Sequence, residues 1–305
     1  MKLTNLFKKK IKVATHNGSF HADEVFAIAT LSLWADKNGF RLEITRTRDE
    51  SVLDKADIVL DVGGIYDPEK KRFDHHQKEG AGTHKNGVPY ASFGLIWKHY
   101  AKEICSKEVA EDIEKRLVIP IDARDNGQSV SNPNELGIID HRTADTISNF
   151  NPTKEEGYAD LTGQFYKAIE VAKEVIKREI AWAESEIKAE EKVQEEFIKQ
   201  GQPEILILDK AIEWEKAVAK IKKIKWVVKP DRDNNNWKIK SARDNLESYT
   251  DRSFFPESWR GLRDKELQDV SGIKDAIFCH RGGFVAIAKT KESAIEMANK
   301  ALGKI

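Results

Sequence analysis

The sequence has few cysteines, no excess of either charge and no long apolar run. Its two cysteines, Cys105 and Cys279, lie far apart among 305 residues, so we expect no disulfide framework and a reducing, cytoplasmic environment. No apolar stretch reaches the roughly 18 residues that a membrane-spanning helix needs, so we expect no contact with a membrane. The 51 basic and 51 acidic residues balance, which disfavours a protein that coats nucleic acid non-specifically.

Strand-like and helix-like segments alternate through the first half of the chain. IKVATHNGSF and KADIVLDVGG are typical of strands that run into polar loops, and ADEVFAIATLSLWADKNG is typical of a helix. The segment from Ser106 to near Pro120 is predicted to be helical. It ends in the apolar run LVIPI, and Asp122 is expected to follow this run as the other acids follow their strands. This alternation predicts an α/β fold with a parallel, doubly wound sheet.

The second half of the chain divides at its composition changes. A highly charged segment, 153–200, has apolar residues three or four apart, which predicts one helix, or two, linking two domains. After Gly201-Gln202-Pro203, several strand-like runs and a final helix predict a smaller α/β domain. We therefore expect a catalytic domain over 1–152, a helical linker over 153–200 and a substrate-binding domain over 201–305.

Acids and histidines of the first half fall at the ends of predicted strands. Because ligands bind beyond the carboxyl ends of strands in open parallel sheets, these side chains are expected to converge on one place. The candidates are His16, His21, Asp23, Asp61, Asp74, His75, His76, Asp122 and Asp125.

Carboxylate and imidazole ligands without thiolates suit Mn²⁺, Fe²⁺, Co²⁺ or Zn²⁺. Four ionised aspartates in this set would balance two divalent cations, and two such ions about 3.5–4 Å apart can support a phosphoryl displacement. Taken singly, each element has an ordinary interpretation. Asp23 could cap a helix, and two adjacent histidines could be surface residues. The joint pattern is what favours a metal site.

Four motifs, THNGSFHADE, DIVLDVGGIYDP, RFDHHQ and IDARDNG, resemble the Myg-one family (melanocyte proliferating gene one) of the DHH phosphoesterase superfamily. Further similarity lies in FPESWRGLRDKEL and in the stretch around CHRGGF. The superfamily's first motif is His-x-x-x-Asp-x-Asp. Here it is one residue longer, and His21 replaces the first Asp. The resemblance implies a DHH-type catalytic domain followed by a smaller domain that grips phosphate.

The resemblance also implies roles for individual residues. The implied metal ligands are His16, His21, Asp23, Asp61, Asp74, His75 and Asp122, while His76 and Asp125 are implied to be catalytic. The implied cofactor is two divalent ions, Mn²⁺ first, with Mg²⁺, Co²⁺ or Zn²⁺ as alternatives. Substrate binding is expected from Arg243, Arg260, Arg263, His280, Arg281, Gly282 and Gly283.

Several of these second-half residues have structural alternatives. Arginine suits phosphate because its planar fork donates two parallel hydrogen bonds. Arg260 and Arg263 could instead pair with Glu257 or Asp264, and the two glycines could simply form a hairpin or bulge. Trp259 is expected to anchor the core.

The function that follows is metal-dependent, exonuclease-like hydrolysis of RNA or short oligonucleotides. Two alternatives remain open at this point. One is a small-molecule phosphatase or pyrophosphatase acting on nucleotides, which the zero net charge favours. The other is a non-catalytic metal-binding or RNA-binding module.

Overall fold

A computed structural model describes residues 8–129, 131–133, 135–157, 160–231, 235–245 and 250–304. The chain divides into two compact units, Met1–Ala183 and Glu184–Ile305. Each unit is built around one five-stranded sheet. The α/β class expected from the alternating segments is therefore confirmed.

Over its described residues, the first unit contains five strands and six helices, followed by a long helix that continues into the second unit. The bounds are β1 Lys9–Thr15, α1 Ala22–Lys37, β2 Phe40–Arg46, α2 Glu50–Leu53, β3 Ile58–Leu60, β4 Tyr66–Asp67, β5 Arg72–Phe73, α3 Ser92–Ile104, α4 Lys107–Ile113, a π-helical turn Glu114–Val118, α5 Ile119–Asp125, α6 Thr143–Ser148 and α7 Leu161–Lys199. The charged segment thus forms a single helix, α7, whose buried side includes Phe165, Ala172 and Ile176.

The first sheet has the strand order β2-β1-β3-β5-β4. All neighbouring pairs are parallel except β4–β5, so the carboxyl ends of β1, β3 and β5 meet at one edge of the sheet. Short parallel strands joined through helices are what the sequence alternation predicts.

Helix α1 lies inside the first unit. Its first ten residues, Ala22 to Leu31, are all buried. The helix packs along α3, where the rings of Phe26 and Phe93 stack with their centres 5.2 Å apart. A helix that is apolar all round is a core element. The core therefore fixes the amino-terminal end of α1, where the polar residues His21, Asp23 and Glu24 lie.

Asp122 does not follow a strand, as we had expected, but lies within helix α5. The apolar run before it is helical throughout and buries Leu117, Val118 and Ile121. A short buried apolar run cannot be assigned to a strand or a helix from periodicity alone. Pro120 is the second residue of α5 and directly follows the π-helical turn Glu114–Val118, where the regular ladder of helical hydrogen bonds is already interrupted.

The second unit has the elements β6 Ile205–Ile207, α8 Glu215–Lys220, β7 Trp226–Pro230, β8 Trp237–Ser241, a 3-10 turn Glu257–Trp259, α9 Asp264–Ser271, β9 Ala276–Cys279, β10 Val285–Ala288 and α10 Lys291–Ala301. Its sheet has the order β6-β7-β8-β10-β9, and only β6–β7 is parallel. Trp259 is buried in its core beside Phe255, as expected. Among the described helices, none is both long enough and apolar enough to cross a membrane.

Candidate metal centre

A buried carboxylate joins two histidines at the carboxyl edge of the first sheet. Asp61 directly follows β3, His16 follows β1, and His75 lies two residues after β5. Asp61 Oδ2 lies 3.2 Å from His16 Nε2, and Asp61 Oδ1 lies 3.3 Å from His75 Nε2. Asp61 therefore bridges two imidazoles that come from neighbouring strand ends, as the parallel topology predicts.

The backbone of Asp61 is left-handed, with φ at 57°. Its N–H donates to the Phe73 carbonyl at 3.2 Å, and Ser92 Oγ donates to its Oδ1 at 3.1 Å. Aspartate tolerates this backbone region better than most residues. The fold thus fixes the orientation of the carboxylate through both its backbone and its side chain.

The start of helix α1 adds two more buried acids. Glu24 Oε1 lies 3.0 Å from His16 Nε2, and the carboxylate of Glu24 also accepts from the His21 N–H at 2.8 and 3.0 Å. Asp23 Oδ2 accepts from the Ser92 N–H at 3.3 Å and lies 3.9 Å from His75 Nε2. The helix-cap interpretation of Asp23 is wrong, because His21 occupies the cap position.

Helix α5 contributes Asp125 at its last residue. Asp125 Oδ2 lies 3.3 Å from His75 Nε2, and Asp125 Oδ1 lies 4.0 Å from His21 Nδ1. Ligand atoms within 4.8 Å of one another form four groups, which are His16–His21–Glu24, Asp61–His75–His76, His21–Asp23–Asp125 and Asp23–Glu24–Asp61. These groups overlap, so they make up one centre, called here the acid–histidine cluster.

The acids and imidazoles of the cluster shift one another's pKa values. Burial alone would lower the pKa of His16 and His75, but the adjacent carboxylates outweigh it and raise each pKa from 6.5 to about 10. Burial, together with the charge of Asp61, raises the pKa of Asp23 and of Glu24. Burial also opposes ionisation of Asp61, but the hydrogen bonds from His16 and His75 outweigh it and lower the pKa of Asp61. The anionic forms of Asp23 and Glu24 are therefore the ones that burial and the neighbouring charge of Asp61 disfavour.

The donor chemistry of the cluster fits divalent cations. Within the described residues, Asp23 Oδ1 is buried and has no hydrogen-bond partner. Such an orphaned acceptor is costly unless a cation or an ordered water meets it. Oxygen and imidazole ligands without sulfur suit Mn²⁺, Mg²⁺, Co²⁺ or Zn²⁺. Buried acids that raise each other's pKa would be stabilised by such an ion.

Sequence comparisons identify relatives along nearly the whole chain. A family model described as "Uncharacterised protein family (UPF0160)", with the short name MYG1_exonuc, matches residues 12–302. The chain belongs to the MYG1 family. It is 31% identical over 325 residues to "MYG1 protein" of Dictyostelium discoideum, covering 96% of this chain and 97% of that protein. It is also 31% identical over 326 residues to "MYG1 exonuclease" of Homo sapiens, covering 96% of this chain and 86% of the human protein.

In this MYG1-family chain, Asp74 holds the histidine tandem in place. Asp74 Oδ1 accepts from the His75 N–H at 2.7 Å and from His76 Nδ1 at 2.8 Å, and Asp74 Oδ2 accepts from the Gly64 N–H at 2.6 Å. These hydrogen bonds overcome the opposing effect of burial and lower the pKa of Asp74. The side chain of His76 is 60% exposed, so its ring faces solvent beside the cluster.

Asp122 is engaged elsewhere in the first unit. Its Oδ2 lies 2.8 Å from His84 Nε2, its Oδ1 accepts from the Gly94 N–H at 3.0 Å, and His84 Nδ1 lies 3.0 Å from Glu114 Oε1. Burial raises the pKa of Asp122 to about 6, with His84 opposing the rise. Among the described residues, Asp122 and Asp74 belong to none of the four ligand groups. Asp122 joins α5 to α3.

Sequence reasoning missed Glu24, Ser92 and His84. Glu24 had a readable signal, since an acid three residues after a helix-start residue is typical of a capping box. Ser92 and His84 had no comparable signal, because their contacts, to Asp61 and Asp122, span 31 and 38 residues.

Gly94 is predicted to be essential for the α3–α5 contact. A Cβ there would overlap Asp122 Oδ2 and would lie 2.7 Å from the Tyr90 ring. Gly94→Ala should therefore lower the free energy of unfolding by about 2–4 kcal/mol, through overpacking and a strained hydrogen bond. Urea denaturation measures this. Gly163→Ala, where only the exposed Asp160 carboxylate must move, should change stability by less than about 1 kcal/mol. Equal effects at both positions would contradict the close contact.

The candidate substrate residues of the second unit lie near its β9–β10 hairpin. Gly282 and Gly283 belong to the turn between these strands, in which the Gly283 N–H donates to the His280 carbonyl at 2.8 Å. The hairpin alternative for the glycines is thus the observed local structure, and Arg281 is exposed at its tip.

The other candidate arginines of the second unit contact nearby groups. Arg260 Nε donates to the Phe255 carbonyl at 3.0 Å, and its Nη1 lies 3.8 Å from Glu257 Oε1. Arg243 Nε lies 3.4 Å from Asp251 Oδ1, and the Arg263 guanidinium lies 4.4 Å from the centre of the Phe278 ring. The pairing with Glu257 is long and exposed, so it contributes little to stability.

Proposed function

We propose that this MYG1-family chain is a divalent-metal-dependent phosphoesterase of the DHH type, which removes nucleotides from one end of RNA or of short oligonucleotides in the cytoplasm. The observation that carries the proposal is the acid–histidine cluster around Asp61. Human, bovine, mouse and rat relatives bear the name "MYG1 exonuclease", which supports a nuclease. Both cysteines are buried thiols, in keeping with a reducing compartment.

The cluster offers a ligand set for two ions, with Mn²⁺ as the preferred candidate. We assign the metals to His16, Asp23, Asp61, His75 and Asp125, with His21 at the exposed side. Asp61 is the candidate for a shared ligand because its two oxygens face different imidazoles. This assignment replaces Asp122 by Asp125, since the carboxylate of Asp122 is occupied by His84 and Gly94. Bound ions would polarise the phosphoryl group and lower the pKa of attacking water.

His76 is placed to handle a proton at the exposed side of the cluster. Its ring is exposed, while Asp74 accepts a hydrogen bond from Nδ1, so the opposite nitrogen, Nε2, is oriented outward. The hydrogen bond to Asp74 raises the pKa of His76, which favours the protonated form. We propose that His76 Nε2 donates a proton to the leaving oxygen and that Asp74 positions it.

His76→Ala should lower kcat by about a hundredfold or more, the usual contribution of a general acid, and should leave bound metal unchanged. Steady-state kinetics and metal analysis of the purified protein measure the two effects separately. His99→Ala provides a matched control, because His99 is a partly exposed histidine that contacts Tyr66 rather than the cluster. Loss of metal in His76→Ala would make His76 a ligand instead of an acid.

The second unit is proposed to hold the phosphate backbone of the substrate. Arg281, exposed at a hairpin tip beside Gly282 and Gly283, is the first candidate, followed by Arg260, Arg263, Arg243 and His280. Residues 1–152 would then be catalytic, 201–305 substrate-binding, and 153–200 the link between them. Arg281 offers the planar fork that suits phosphate oxygens.

A hydrolysis screen tests the proposed function. The purified chain, stripped of metal, is offered single-stranded RNA, dinucleotides, inorganic pyrophosphate and nucleotides, each with Mn²⁺, Mg²⁺, Co²⁺ or Zn²⁺. We expect metal-dependent release of mononucleotides from RNA. Hydrolysis of pyrophosphate alone would establish the small-molecule phosphatase instead, and metal binding without any hydrolysis would establish a binding module.

A further inference from the structure

A cavity of about 340 Å³ opens beside the acid–histidine cluster, within the first unit. Its walls come from the start of α1, from α5 and from α6. His21, Asp23 and Asp125 line it and also belong to the ligand groups of the cluster. The cavity therefore adjoins the cluster and shares three residues with it.

The remaining walls of the cavity combine apolar and polar groups. Ala22, Ile121 and Ala144 supply apolar surface, while Ser148 supplies a hydroxyl. Small-molecule sites occupy about 300–1,000 Å³. The cavity lies at the small end of that range, which suits one nucleoside and excludes a double helix.

Arg124 supplies a cation on the wall of the cavity. Its Nη2 lies 3.0 Å from Asp145 Oδ1, and this ion pair anchors the guanidinium at the junction of α5 and α6. A guanidinium has five N–H donors, so an arginine anchored through one nitrogen can still bind an anion or a carbonyl oxygen. Arg124 precedes Asp125 directly, which puts a positive charge next to the acids of the cluster.

We propose that this cavity is the subsite for the terminal nucleoside of the substrate, with Ala22, Ile121 and Ala144 against the base and Arg124 and Ser148 contacting polar atoms of the nucleotide. The inference rests on the proposed function and adds the group that is recognised. A subsite that accommodates a single nucleoside next to the metals explains removal of one nucleotide at a time from a free end. It also makes a nucleoside monophosphate bind better than inorganic phosphate.

The test compares equilibrium binding of adenosine monophosphate, cytidine monophosphate and inorganic phosphate to the manganese-loaded full chain, by calorimetry. Ser148→Phe places an aromatic ring at the cavity wall. Ser148 is exposed, so the larger side chain should not disturb folding. Thr146→Phe is the matched control, since Thr146 is exposed on the same helix and does not line the cavity. Arg124→Ala is compared with Arg178→Ala, an exposed arginine on α7.

We expect Ser148→Phe and Arg124→Ala each to weaken monophosphate binding about tenfold or more, a change of about 1.4 kcal/mol. Binding of phosphate and manganese should stay within about twofold of the parent in Ser148→Phe, and both controls should match the parent. The inference is overturned if Ser148→Phe binds monophosphates like the parent, or if the parent binds monophosphate no better than phosphate.

These failures differ from failure of the proposed function. If the parent releases mononucleotides from RNA and Ser148→Phe does so with the same kcat/KM, the subsite alone is refuted. A parent that hydrolyses no RNA refutes the proposed function, and its monophosphate binding still decides the subsite.

Discussion

Asp61→Asn is expected to remove metal binding and to lower kcat/KM on the order of a thousandfold. The substitution keeps the shape of the side chain, an oxygen that accepts from Ser92, and tolerance of the left-handed backbone, but it removes the charge. A divalent pair is expected to stabilise the transition state by several kcal/mol, and each 1.4 kcal/mol corresponds to a tenfold change in rate. Metal content by mass spectrometry and kinetics with added Mn²⁺ measure both effects.

Asp57→Asn is the matched control for this variant. Asp57 comes just before β3, is exposed, and accepts from the Lys12 N–H at 2.7 Å, a hydrogen bond that an asparagine oxygen can also accept. Its activity and metal content should equal those of the parent. If Asp61→Asn retains both metal and activity, while circular dichroism shows a native fold, the assignment of Asp61 as a shared ligand is wrong.

Rising pH is expected to destabilise the metal-free protein and to strengthen its binding of metal. In the metal-free fold, His16 and His75 have pKa values raised from 6.5 to about 10. Between these values the folded state binds more protons than the unfolded state, so stability is greatest below about pH 6.5 and falls as pH rises towards 10. Metal binding requires neutral imidazoles, so metal affinity rises over the same window.

The measurement is Tm with and without saturating Mn²⁺ at several values between about pH 6.5 and 8.5. Metal at a hundred times its Kd adds about 2.7 kcal/mol, which corresponds to roughly 5–10 °C for a unit of this size. The difference between the Tm values with and without Mn²⁺ should increase with pH and should be close to zero in Asp61→Asn. If this difference in Tm stays constant or decreases as pH rises, protons do not compete with the metal at these histidines.

The convergence of strand-end residues could be predicted from the sequence because parallel strands impose it. His16 and Asp61 follow strands with an apolar end, and His75 follows the short strand Arg72–Phe73, so their meeting at one edge depends only on topology. No tertiary contact had to be known. The same reasoning assigned the final strands and helix of the second half, in which apolar runs are bounded by glycine and polar turns.

The position of Asp122 could not be predicted in this way. The run before it is apolar on all sides, and such a run has no period that separates a buried strand from a buried helix. Once the run is helical, Asp122 and Asp125 lie three residues apart on α5, and packing against α3 decides which of them reaches the cluster. The residues that contact these helices and the cluster include His84, Gly94 and Ser92. Their contacts depend on the assembled core rather than on a local sequence pattern.

The left-handed backbone at Asp61 restricts which substitutions evolution can make there. Glycine, asparagine, aspartate and histidine occupy this region with little strain, whereas branched and long side chains do not. Only aspartate in that group carries a negative charge at neutral pH. Even glutamate, the usual exchange for aspartate, would have to strain the backbone to deliver the same charge. The chain therefore has one residue that satisfies both geometry and charge at this position, and saturation mutagenesis under selection for activity should return aspartate alone.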